Sequence, residues 1–145
     1  MNSAEVELQL PADTQYVGLA RLVVTVAARN AGMAEERVED LKIAVSEATT
    51  NAINAHRRYH QDTPVVLQFG PSGDGSFEVT VVDAGPGFDP APPAADRDWT
   101  LEGGLGVTLI RGLADEVNFI RGEGMKVHMN FKVGLEAENN SQPDR

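Results

Sequence analysis

The 145-residue sequence contains no cysteine, which removes disulfides, thiolate zinc sites and a catalytic thiol together. Histidine is scarce and scattered, at His56, His60 and His128, a spacing that suggests no metal cage. Long apolar runs are lacking too. The longest, Leu22 to Ala28, is interrupted by Thr25 and falls far short of the roughly 20 residues that cross a bilayer, so no membrane association is expected. Basic side chains number 12 against 22 acidic ones, a formal charge of -10, the wrong sign for a protein that neutralises nucleic-acid phosphates. Direct nucleic-acid binding is not expected, and the macromolecular partners should be proteins. The amino end, Met1 to Glu5, has neither a basic cluster nor a hydrophobic run; no cleaved secretory leader is expected there, and the cytoplasm is the predicted location.

What is present is an ordinary globular composition, 41% apolar and 23% charged, at a length that suits one domain with a real core. That domain is expected over residues 1–133, with 134–145 as a polar, disordered tail. Glu5 to Leu10 alternates polar and apolar and predicts a strand closed by Pro11. Asp13 predicts the N-cap of a helix running to about Ala31, where Gly32 ends it. A second helix is expected from about Ala34 to Arg58, with Val38, Leu41, Val45, Ala48, Ala52 and Ala55 as its apolar face. Val65 to Phe69 and Phe77 to Val82 flank a turn-rich Pro71–Gly75 segment and predict a hairpin. Ala84 to Glu102 has no period and is expected to be a long functional loop. A short helix from about Leu105 to Asp115 and a last hairpin, Val117 to Ile120 with Val127 to Val133, complete the chain. This order departs from strict strand–helix alternation and predicts an α+β fold, a two-layer sandwich of a mostly antiparallel sheet with helices on one face.

Three patterns could carry chemistry. Glu47 and Asn51 stand four apart on the second helix, so a carboxylate and an amide project from one face; a solvated polar stripe would look the same, although Ala44, Ala48 and Ala52 around the pair are small. Asp83 ends a strand and leads into Ala84-Gly85-Pro86-Gly87, where a carboxylate can accept from an exocyclic amine and glycines admit a flat ring; Asp and Gly also build plain turns. Gly103-Gly104-Leu105-Gly106 precedes a helix, where bare amides and the helix dipole suit phosphate, as a hinge or cap would also explain. No Gly-Lys-Ser/Thr is present, so this is not a Walker loop.

In this order and spacing the three patterns resemble the boxes of the Bergerat-fold ATPase superfamily, which includes histidine kinases and gyrase. Ala44-Val45-Ser46-Glu47-Ala48-x-x-Asn51-Ala52 and Gly103-Gly104-Leu105-Gly106, on so short a chain, resemble the anti-sigma-factor serine/threonine protein kinases. The resemblance covers residues 5 to 133. It implies that Asn51 holds the Mg²⁺ that bridges the ATP phosphates and that Glu47 is the general base. It implies that Asp83 binds the adenine amine, with Gly85 and Gly87 shaping that pocket. Gly103, Gly104, Leu105 and Gly106 would line the phosphates, and Ala84 to Glu102, with Trp99, would be the lid. Arg21, a lone charge within an apolar run, falls near an arginine on the partner face of these kinases; a solvated arginine is the plain alternative.

The implied partners are a sigma factor, an anti-anti-sigma protein as phosphorylation substrate, and a second copy in a homodimer. Two departures stand out. Members commonly carry a histidine four residues after the metal-binding asparagine, where this chain has Ala55 and then His56. Many read Gly-Thr-Thr in the last hairpin, where this chain has Gly124-Met125-Lys126, which lowers the expected hold on adenine. Two other functions fit the same motifs. One is a binding-only anti-sigma or adaptor module with a structural nucleotide site; the other is a histidine-kinase-type ATPase domain, for which no preceding phospho-accepting helical hairpin is found.

Overall fold

A computed structural model describes residues 5–60, 62–83, 106–122 and 124–134. The chain begins with β1 (Val6–Leu10), a 3-10 turn (Thr14–Tyr16), α1 (Val17–Asn30) and α2 (Glu35–Arg58). It continues with β2 (Val65–Pro71), β3 (Ser76–Asp83), a helical segment over 106–113 that becomes α3, β4 (Glu116–Arg121) and β5 (Met125–Lys132). Asp13 does cap a helical start, its carboxylate accepting from the Gln15 amide at 3.0 Å. The capped turn is 3-10, and the α-helix proper begins only at Val17. At the other end Gly32 takes φ +90, a left-handed conformation that costs glycine nothing and closes helices.

The five strands form one sheet in the order β1-β2-β3-β5-β4, every pairing antiparallel. Among the described residues this bears out the α+β sandwich. The inner face of β3 presents Phe77, Val79 and Val81, flanked by Leu67 and Phe69 of β2 and Met129 and Phe131 of β5, all buried. α2 packs across β3 with its neighbours β2 and β5, and α1 packs against α2 and β2. Strand alternation then has a consequence for function. Asp83 continues the Phe77, Val79, Val81 series at a period of two, so the carboxylate lies on the core side of the sheet and is buried.

The apolar stripe of α2 needs one correction. It runs through Val38, Leu41, Val45, Ala48, Ala52 and Ile53 and ends at the fully buried His56, while Ala55 is only half-buried. A helix turning 3.6 residues per turn carries a stripe from Ala52 to position 56 as readily as to 55, and the packed sheet end selects the longer side chain. The third helix covers 106–113 among the described residues, not reaching Asp115. The loop expected at Ala84–Glu102, with Trp99, lies outside the described residues, as does the tail from residue 135 onward. No helix among the described residues is long and apolar enough to cross a membrane.

Candidate functional site

α2 is the spine of the site. Glu47 and Asn51, both half-buried, lie one turn apart on it, and Gly106, the first described residue of α3, meets the pair. A Cβ built on Gly106 would stand 2.8 Å from Oε1 of Glu47 and 3.5 Å from Nδ2 of Asn51. Only a glycine lets the α3 backbone reach both groups without displacing one. The structure thus brings a carboxylate and an amide that stand one helical turn apart together with a glycine more than fifty positions further along the sequence.

Nine residues further along α2, a rise of about 13 Å, His56 meets the end of β3. Its Nε2 stands 3.1 Å from Oδ1 of Asp83, with the histidine side chain 0% and the aspartate side chain 9% exposed. The two ends of the site are therefore tied to one rigid helix, a carboxylate suited to an exocyclic amine at one end and a phosphate-compatible glycine with Glu47 and Asn51 at the other. Gly85, Gly87, Gly103, Gly104 and Leu105 lie outside the described residues. His56 is the residue that sequence reasoning missed. Its signal was a polar residue on the apolar stripe of α2, one place beyond the position where a histidine was sought.

Arg21 of α1 is exposed and donates to the Ser46 hydroxyl at 3.2 Å. Since Ser46 precedes Glu47, the arginine is anchored beside the Glu47 end of α2. Leu19, Leu22 and Val26 of α1 and Ile43 of α2 are exposed large apolar side chains. Among the described residues no group of three or more His, Asp or Glu side chains could hold a metal by itself.

Residues 10–131 match the family model described as a histidine kinase-like ATPase domain. The serine-protein kinase RsbW of Bacillus subtilis is 37% identical over 137 residues, covering 88% of this chain and 85% of the relative. The serine-protein kinase RsbW of Listeria monocytogenes serovar 1/2a is 37% identical over 134 residues, covering 86% and 85%. The chain belongs to the serine-protein kinase branch of the histidine kinase-like ATPase family. As a member of that kinase family it is an ATP-dependent protein kinase.

Solved structures agree on the fold of this kinase. The RsbU and RsbW domains of a Mycobacterium tuberculosis protein superpose with a TM-score of 0.69 at 17% identity, over 90% of this chain and 32% of that one. The SiaB–SiaC complex of Pseudomonas aeruginosa gives 0.63 at 11%, over 87% and 88%.

Proposed function

We propose that this kinase binds Mg-ATP between α2 and α3, sequesters a sigma factor and phosphorylates an anti-anti-sigma protein on serine or threonine. The observation that carries the proposal is the approach of Gly106 to Glu47 and Asn51, which sets a candidate base and a candidate metal ligand beside a glycine of α3. Residues 1–133 form the one nucleotide-binding domain in this reading, acting in the cytoplasm.

The donor set fits the metal. Mg²⁺ takes hard oxygen ligands and is usually held by one or two protein groups with substrate phosphates supplying the rest, and Asn51 offers one amide oxygen, with no competing cluster among the described residues. When bound, the ion neutralises charge on the phosphate oxygens. Glu47 accepts the proton of the incoming hydroxyl as its oxygen bonds to the γ-phosphorus and the bond from phosphorus to the bridging oxygen breaks, releasing ADP. Asp83 orients the adenine through its exocyclic amine, with Gly85 and Gly87 shaping that pocket. In this reading Gly103, Gly104, Leu105 and Gly106 line the phosphates. Positioning of this kind supplies most of the catalysis in phosphoryl transfer.

Incubation with Mg-ATP and co-encoded small proteins tests the reading: a partner heavier by one phosphate, with the phosphate on serine or threonine, is expected. At about 100-fold excess over its dissociation constant, ATP should stabilise the fold by about 2.7 kcal/mol. GTP should do less, because guanine presents a carbonyl where Asp83 meets an amine. An unshifted thermal transition at millimolar Mg-ATP, with no binding heat, would refute the nucleotide site. A chain that binds ATP yet labels no partner would be the binding-only module instead.

Arg21 is the proposed contact to the sigma factor and the anti-anti-sigma protein, and a second copy of the chain would meet the exposed Leu19, Leu22 and Val26 of α1. Its bond to Ser46 places it next to the proposed base, where a docked substrate hydroxyl must arrive. Arg21→Ala should weaken partner capture in a pull-down or by interferometry while ATP affinity stays the same. Equal capture by the variant would make Arg21 a solvated side chain with no role in docking.

A further inference from the structure

Burial along the inner face of β5 falls toward one end. The inward side chains run Phe131, Met129, Val127 and Met125; Phe131 and Met129 are fully buried, while Val127 and Met125 are only half-buried. Met125 ends this series, and its register partner on β3 is Asp83, which ends the inward series there. Residues directly opposite in an antiparallel pair point to one face with Cβ atoms about 5 Å apart. A carboxylate and a half-covered thioether thus stand side by side on the helix-facing side of the sheet. The carboxylate is a strong polar group, and the thioether is an apolar surface with at most a weak acceptor. Apolar lining with a few placed polar groups is the ordinary makeup of a small-molecule site.

We infer that Met125 is a specificity-determining residue of the nucleotide site, laying its thioether against the aromatic ring of a base whose exocyclic amine donates to Asp83. The inference rests on the nucleotide reading above. The base is then read in two ways, at its edge through the amine and across its ring by a polarisable sulfur and methyl group. Such a group attracts an aromatic ring without requiring a particular donor or acceptor on it. The contact grows with the area of the ring, so it favours the two-ring purine of ATP over the one-ring pyrimidine of CTP, although both bases carry an exocyclic amine for Asp83. An apolar side chain that only closes the end of the core would not distinguish the two.

NMR of the full chain with isotope-labelled methionine methyl groups reads the contact directly, with Met125→Leu assigning the Met125 signal by its loss. Saturating Mg-ATP should shift the Met125 methyl through the ring current of the base, while Met33 and Met129, both buried in the core, stay near their free positions. Mg-tripolyphosphate, which has no base, should leave Met125 in place. In calorimetry, Met125→Ala should weaken Mg-ATP binding by about tenfold, the scale of a sulfur–aromatic contact, and Mg-CTP binding by less, so that the preference for ATP narrows. Met125→Leu, which keeps the apolar bulk, should retain most of that preference. The NMR measurement uses the wild-type chain and carries the test even if Met125→Ala fails to fold. A Met125 methyl that does not move when ATP is bound, an equal shift with tripolyphosphate, or equal weakening of ATP and CTP in Met125→Ala would overturn the role of Met125 while leaving the nucleotide site intact. Failure of the wild type to bind ATP would overturn the nucleotide reading, and this inference with it.

Discussion

Glu47→Ala is expected to lower phosphoryl transfer to the protein substrate by about 10²- to 10⁴-fold, the usual contribution of a positioned general base, while the affinity for Mg-ATP is retained. The separation follows from the geometry. Glu47 sits against Gly106 of α3, whereas Asp83, the proposed adenine contact, lies at the end of β3 beside His56. Removing the carboxylate takes away the proton acceptor and leaves the rest of the cradle in place. Single-turnover transfer of labelled phosphate, with ATP binding measured in parallel, checks both halves. Transfer at the wild-type rate would remove Glu47 from the role of base, and a joint loss of binding and transfer would make it a ligand-holding residue.

Gly106→Ala is the second variant with a large expected effect, and it tests the arrangement instead of the functional group. The added methyl would lie 2.8 Å from Oε1 of Glu47, well inside contact distance, so one of the two must move. The far end of a glutamate side chain gives way more easily than a helix backbone, so the fold should tolerate the change with little loss in melting temperature. The carboxylate, however, is displaced from the place it occupies. A misplacement of about an ångström can cost about a hundredfold in rate, and that is the expected loss of transfer. An alanine variant that melts normally and transfers normally would show that the Glu47–Gly106 contact has no part in catalysis. Both variants act at the proposed phosphate end of the site, away from Asp83.

Much of this protein was legible in its sequence because local rules dominate there. Period-two alternation marked β2 and β3 and period 3.6 marked α2, since one face of each must be apolar to pack; the positions of Asp13 and Gly32 marked helix ends through their backbone preferences. Glu47 and Asn51 were found as a pair because four residues on a helix is a short-range geometry. What the spacing left open was which long-range groups meet. Gly106 reaches Glu47 only when α3 packs over α2, and His56 reaches Asp83 only when the inward parity of β3 brings a carboxylate under the last turns of that helix. A stripe at 3.6 residues per turn cannot distinguish position 55 from 56 by itself. The packed sheet decided it: position 56 is the one that turns toward the end of β3, where Nε2 of His56 comes within 3.1 Å of Oδ1 of Asp83.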